Sequence, residues 1–437
     1  MNRYAFVVLV LCAFVASAEE AVVDAGTPTD ARFDELNRKI ELLQQELDRR
    51  APAADAGVAP PATGPIANVS EGATRTGTKA NLLVGGYVEI PYQWNFNNPS
   101  NFITNYRGFD NRHNMFTVEN AVLDAQGTLG PVTAHLALQF GHAPETYYLS
   151  EPVSLGTAAA GTTGPSVWKF LQQANLAYTA PLGRGLTIDG GLFLSPIGPE
   201  GLAIKDQWNW SRSDLFFGLP FYHAGVRATY PITERLTASL QLYNGWNSVV
   251  DNNPEFSPAV QLTYNIADHL TFNALYFGGV ERNVGAPEGR AWRHLFDTYL
   301  MVTPKPWLSV LAHFDGGFEP NHFGVSSWAA GALYVRVHPF EQLYLAARAD
   351  YFHEGLAHDD LGTAAPIFWA GSSWIAEGTV TADFRPADNI SLRLEYRHDE
   401  AQKDLFFAGQ VSMGADGFAV PNARSQDTIT VGAVAWF

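Results

Sequence analysis

Asp427-Thr428-Ile429-Thr430-Val431-Gly432-Ala433-Val434-Ala435-Trp436-Phe437 closes the chain. Successive side chains of a strand point to opposite faces, so Ile429, Val431, Ala433, Ala435 and Phe437 share one face. Thr428, Thr430, Gly432, Val434 and Trp436 share the other. A chain that stops mid-strand on an aromatic residue suits a closed membrane barrel, whose last strand seals against the first. Working outward, about sixteen alternating segments recur, near 82–95, 115–128, 131–141, 168–180, 185–195, 221–230, 234–246, 257–266, 269–280, 292–302, 306–317, 327–338, 341–353, 373–384, 388–399 and 426–437. An even count is what a single-chain bacterial barrel requires. The predicted partner of the last strand is the first, with Leu82, Val84, Val88, Ile90 and Tyr92 continuing its lipid face.

The connections alternate in kind. Short turns fall at Leu129-Gly130-Pro131, Pro181-Leu182-Gly183-Arg184, Pro231-Ile232-Thr233, Ala267-Asp268, Thr303-Pro304-Lys305, Pro339-Phe340 and Arg385-Pro386-Ala387. Between them lie longer loops at about 97–114, 142–167, 196–220, 247–256, 281–291, 318–326, 354–372 and 400–425. Short turns at one end and long loops at the other match the periplasmic and extracellular ends of an outer-membrane barrel. A soluble propeller would need a four-stranded blade motif, and none recurs. The fold class is therefore all-β: a closed antiparallel transmembrane β-barrel of about sixteen strands, preceded by a short coiled-coil helix.

Composition supports this. Only 16% of the 437 residues are charged, 13% are aromatic, and the net charge of -17 argues against binding nucleic acid, which needs a basic surface. Residues 1–18 read as a signal peptide, with Arg3, an apolar run and Ala16-Ser17-Ala18 as the cleavage site. The sole cysteine, Cys12, lies inside it, after a Leu11 too bulky for a lipoprotein site, so no lipid anchor or disulfide is expected. Residues 19–29 form a polar spacer. In 30–50, Phe33, Leu36, Ile40, Leu43 and Leu47 make a heptad seam, capped by Asp30 and closed by Arg49-Arg50; the alternative is a helix packed on its own barrel. Residues 51–80 are an Ala/Pro/Gly-rich linker, and 81–437 are the barrel.

Polar residues alternate with apolar ones as expected for a watery lumen inside a lipid-facing wall, because sixteen strands leave a channel where eight would be filled. Candidate pore-lining residues are Arg227, Asp315, Arg336, Arg348, Asp350, Glu377, Asp383, Arg393, Glu395 and Arg397. For each singly, a cross-strand ion pair competes with solute contact. Tyr92, Trp94, Trp292, Trp307, Trp328, Trp374 and Trp436 lie near strand ends, where interfacial rings are expected. The third long loop, PIGPEGLAIKDQWNWSRSDLFFGLP at 196–220, carries Lys205, Asp206, Trp208, Trp210, Arg212 and Asp214. It is the candidate constriction, folded into the mouth with its charges narrowing the pore, with a plain solvated loop as the alternative.

Other chemistry is weak. His353, Glu354, His358, Asp359 and Asp360 are the densest histidine group but lack ligand spacing, and Asp251-Asn252-Asn253-Pro254-Glu255 lacks the glycine-centred pattern of a calcium loop. No metal or cofactor is expected. No Ser and His pair with an orienting partner can be assembled, so no catalytic residues are assigned and an enzyme is not expected.

GGYVEIPYQWNFNNPSNFITNYRGFDNRHNMFTVENAVLDAQGTL, HLALQFGHAPETYY, WNWSRSDLFFGLPFYHAGVRATY and the terminal Phe437 together resemble the putative β-barrel porin-2 family of OmpL-like outer-membrane porins. The resemblance spans essentially Leu83 to Phe437, and the run from Asn105 to His113 is its most distinctive part. Ala435 departs from the usual assembly signal, where another aromatic often precedes the last Phe. The resemblance implies an outer-membrane pore for small hydrophilic solutes and transfers no catalytic residues. The expected partners are outer-membrane lipid, the barrel-assembly machinery through Trp436 and Phe437, hydrophilic solutes and further copies of the chain, with a trimer among the options. The expected location is the outer membrane of a Gram-negative bacterium, with the helix in the periplasm. The competing reading is a surface barrel with a blocked lumen whose loops bind a ligand or partner.

Overall fold

The computed structural model describes residues 67–73, 79–147, 168–369, 371–415 and 417–437. The signal peptide, the spacer, the coiled-coil helix at 30–50 and most of the 51–80 linker lie outside the described residues. Sixteen strands close a barrel: β1 (Lys79–Asn95), β2 (Asn120–Leu129), β3 (Val132–Phe140), β4 (Leu171–Ala180), β5 (Leu186–Leu194), β6 (Tyr222–Pro231), β7 (Leu236–Tyr243) and β8 (Ser257–Ala267), then β9 (Leu270–Val280), β10 (Trp292–Lys305), β11 (Leu308–Asn321), β12 (Gly324–Phe340), β13 (Leu343–Gly355), β14 (Trp374–Ala387), β15 (Ile390–Ala401) and β16 (Ser425–Trp436). Each pairs antiparallel with its neighbours in sequence, and β16 pairs with β1, Val88 opposite Ala435 and Trp94 opposite Ile429. Closure leaves no barrel strand with an open edge, a condition for crossing lipid.

The seam extends below β16. Phe437 N–H donates to Gly86 O at 3.1 Å. A Cβ on Gly86 would stand 2.5 Å from the Val122 carbonyl and 3.0 Å from the Phe437 ring, so only glycine lets that ring lie against β1. Where β16 ends, a further strand, Ala67–Ala73, takes up the same edge of β1, with Ala67 opposite Val84 and Ala73 opposite Lys79. The stretch read as linker thus carries one strand.

The period-two pattern sorts the faces. Leu394 is 54% exposed on the outer wall while its neighbour Arg393 is 2% exposed inside. Two aromatics expected at the membrane interface are corrected: Trp328 and Trp436 are buried inside the barrel. Both lie on the inward parity of their strands. Trp436 packs with Tyr87, Val122, Ala137 and Val434, and the Trp328 indole N–H donates to Asp315 at 3.0 Å. Trp292 and Trp307 are exposed, and Tyr92, Trp94 and Trp374 are half-buried.

Two boundary expectations also change. Pro304, Pro339 and Pro386 do not form the turns; they sit inside register shifts between Val302 and Lys305, Val337 and Phe340, and Phe384 and Ala387. Proline has no N–H for the ladder, and a bulge is where a strand tolerates that loss. The turns follow two residues later, at Pro306-Trp307, Glu341-Gln342 and Asp388-Asn389. The loop expected at 318–326 is only His322-Phe323, because β11 and β12 continue pairing to Asn321 and Gly324. Gly316-Gly317 and Pro320 mimic a strand end, but Gly317 is small for another reason. A Cβ there would overlap the Trp328 ring.

Candidate functional site

The third loop, residues 195–221 between β5 and β6, folds into the lumen. It docks on the wall formed by β13 to β16, β1 and the start of β2, mainly by handing its backbone to inward carboxylates and guanidiniums. Ile204 N–H donates to Glu89 at 2.6 Å, and Ser211 N–H to Glu395 at 2.9 Å. Trp210 N–H donates to the same Glu395 carboxylate, and its indole N–H donates to Glu119 at 2.9 Å. Arg393 donates to the Asn209 carbonyl at 2.9 Å, and Arg348 to the Ser211 carbonyl at 2.7 Å. A short helix, Asp214–Phe217, is capped by Ser213, whose hydroxyl accepts from Phe216 N–H. Bonds with one ionised partner are stronger than neutral ones, so this loop is held at many points.

Among the sequence-predicted loop residues, Trp210, Arg212 and Asp214 are fully enclosed, and Trp208 is half-buried. Arg212 lies 3.5 Å from Glu119 and donates to the carbonyls of Gly201, Leu202 and Trp210. Asp214 receives Arg397 at 2.8 Å, and its own N–H donates to Asp350 at 3.0 Å. Lys205 and Asp206 instead pair with each other at 2.9 Å. Opposite Trp210, Gly432 of β16 presents bare backbone, and a Cβ there would overlap the indole.

The wall residues are brought together in part. Arg348, Glu377, Arg397 and Asp399 form one chain of charge, with Arg348 to Glu377 at 2.6 Å, Arg397 to Glu377 at 3.7 Å and Arg397 to Asp399 at 2.6 Å. Arg348 also reaches Glu200 of the loop at 3.1 Å. Asp383 takes Arg385 at 2.8 Å and Arg393 at 3.4 Å. Arg227 stands apart, paired with Asp189 at 2.6 Å and stacked 3.8 Å from the Phe193 ring centre. Asp315 binds Trp328 rather than a cation. Arg336 lies 4.8 Å over the Trp208 ring and 5.5 Å over Tyr344, and among the described residues no carboxylate pairs with it.

Glu89, Glu119, Glu200 and Asp399 belong to this network and do not stand among the residues predicted from sequence. Glu89 was readable, since Val88 and Ile90 flank it on the lipid face. Glu200 lies in a loop with no periodicity to mark it.

Above the third loop, a cavity of about 360 Å³ opens among Tyr106, Arg107 and Gly108 of the first loop, Phe217 and Phe221 of the third, Trp246 and Asn247 of the fourth, Ile367, Phe368 and Trp369 of the seventh, and Glu281 and Arg293. Glu354 fixes the seventh-loop wall by accepting the N–H groups of Ile367, Phe368 and Trp369. Glu281 fixes Trp246 by accepting its N–H at 2.7 Å. Burial pushes the Glu281 carboxyl up to about 7, against the opposing pull of Arg293 and the Ser257 hydroxyl. Burial acts the same way on Asp110, but the Arg107 guanidinium overrides it and holds that carboxyl below its usual range. Among the described residues, no group of three His, Cys, Asp or Glu side chains is placed to hold a metal.

A closed sixteen-stranded barrel with an apolar outer wall, a polar lumen and an inward-folded third loop defines an outer-membrane porin, a channel for passive diffusion. The chain belongs to the family described as Putative beta-barrel porin-2, OmpL-like, whose model matches residues 81–437. Its fold resembles the outer membrane channel DcaP of Acinetobacter baumannii, with a TM-score of 0.52 and 10% identity over 84% of this chain and 100% of that one. It also resembles a loop L8 deletion mutant of OmpT of Vibrio cholerae (TM-score 0.51, 10% identity, 82% and 99% covered) and a trimer form of OmpT (0.51, 9%, 82% and 99%). No curated protein matches the chain in sequence.

Proposed function

We propose that small hydrophilic solutes cross this barrel under the control of the third loop, with Lys205, Asp206, Trp208, Trp210, Arg212 and Asp214 as the constriction and the ten inward residues of the wall as its electrostatic lining. The observation that carries this reading is the anchoring of the loop, from Ile204 to Asp214, on carboxylates and guanidiniums of the opposite wall. Charges held at a narrow point select by size and field. Reconstitution in planar bilayers is expected to give stepwise, ohmic conductance; folded protein that never conducts would sink the claim. The alternative of a blocked lumen draws support from the complete enclosure of Trp210, Arg212 and Asp214. Conductance seen only after deletion of residues 200–213 would favour it.

Arg336 has aromatic rings beside it and no paired carboxylate among the described residues, so its field is less compensated than those of Arg348 and Arg397. Arg336→Glu is expected to move the reversal potential in a salt gradient toward cation preference. An unchanged potential would remove Arg336 from the filter.

The barrel also fits assembly as a homo-oligomer, with outer-membrane lipid around it and its carboxy-terminal strand presented to the assembly machinery. If the helix at 30–50 sets the oligomer, its deletion changes the native mass in detergent. Removal of Phe437 takes a ring and a pair of hydrogen bonds from the seam with Gly86. The fraction assembled in the outer membrane is expected to fall, while molecules that insert conduct as before; normal assembly would show that the ring is dispensable.

A further inference from the structure

We propose that the aromatic cavity at the extracellular mouth is a binding site for a neutral sugar, a ring of one to two saccharide units that stacks on its walls before entering the pore. The inference rests on the pore reading above and names the class of solute that the pore would admit.

Tyr106, Phe217, Phe221 and Phe368 line the cavity and are only half-buried, so each leaves ring surface accessible. Behind them the rings lock edge to face: Trp328 with Phe368 at 5.2 Å, Phe352 with Phe368 at 5.4 Å and Phe352 with Trp369 at 5.1 Å. Such a wall is rigid before a ligand arrives, which lowers the ordering cost of binding. Flat rings match the C–H faces of a pyranose, whose hydroxyl edge needs polar partners.

Each cation at the cavity already has an anion: Arg293 holds Glu319 at 2.9 Å, and Arg107 pairs with Asp110. Glu281 is occupied by the Ser257 hydroxyl at 2.7 Å and the Trp246 N–H. A charged solute would have to break these pairs to be recognised, whereas hydroxyl groups can add to them. The volume of about 360 Å³ falls in the range of small-molecule sites, roughly 300–1,000 Å³.

The test uses the full-length protein in detergent, read by intrinsic tryptophan fluorescence, and in planar bilayers, read by current. Maltose and methyl glucoside are the neutral probes, and succinate and glucuronate are the charged ones. Saturable fluorescence change and partial current block by maltose, with neither from succinate, are the expected result. Phe368→Ala is expected to weaken maltose binding about tenfold through loss of one stacking face. Tyr106→Leu keeps most of the bulk and removes a second stacking face of the cavity, and is expected to weaken binding severalfold even if the first variant fails to fold. Normal conductance without saturable binding of any neutral saccharide would overturn the sugar site and leave the pore intact. Binding of succinate in preference to maltose would also overturn it. Absence of any current in sugar-free solution, with maltose still bound, would overturn the pore reading and not the site.

Discussion

Gly432→Val is expected to raise single-channel conductance severalfold. The lumen-side face of Gly432 is covered by the Trp210 indole, and any side chain there would overlap that ring. The strand is fixed by its pairing to β15 on one side and β1 on the other, so the loop must yield. Overpacking of this kind is relieved by displacement of the less constrained partner. Trp210 would then lose its indole bond to Glu119 and its backbone bond to Glu395, two of the anchors that hold the loop on the wall. Trp210→Ala supplies the control. If the clash is the cause, adding Gly432→Val to Trp210→Ala changes conductance no further, because the two changes act through one contact. Conductance of Gly432→Val equal to that of the parent would show that the loop does not limit the current.

Arg397→Met is expected to produce the largest loss of stability. Its guanidinium is fully enclosed and serves Asp214 at 2.8 Å, Asp399 at 2.6 Å and Glu377 at 3.7 Å, as well as the Arg212 carbonyl. Methionine of similar length fills the space but leaves three carboxylates without that cation. Breaking a buried pair from one side costs about 3–5 kcal/mol, since the remaining charge stays desolvated. The midpoint of denaturant unfolding in lipid vesicles should fall accordingly. Arg235→Met is the reference, since its pairing with Asp268 is long, at 3.8 Å, and exposed. Exposed pairs contribute about 0–1 kcal/mol. Equal midpoints for the two variants would mean that the network in the lumen is hydrated and adds little.

The barrel was legible because lipid on one side and water on the other force a period of two on every strand. The same rule places Trp328 and Trp436 inside, and proximity to a strand end is a weaker guide than parity. Prolines misled the turn positions by two residues because a proline reads alike in a turn and in a bulge. The third loop was legible as unusual by its aromatic and charged content. Its partners were not, since Trp210 meets Glu395 from 185 residues away and no local pattern records that distance. The aromatic cavity was hidden for the same reason: four separate segments supply two or three residues each, Glu281 and Arg293 add one each, and none carries a signal by itself.

The place of Trp210 against Gly432 also sets an order of events. The loop leaves the chain after β5, yet the surface that receives it belongs largely to β13 through β16 and to β1, which meets β16 only at closure. While a nascent barrel is still open, the loop has no complete receptor and the lumen is unobstructed. Seating the loop is therefore a consequence of closing the wall, and a protease that cuts near residue 205 should distinguish unclosed barrels from finished ones.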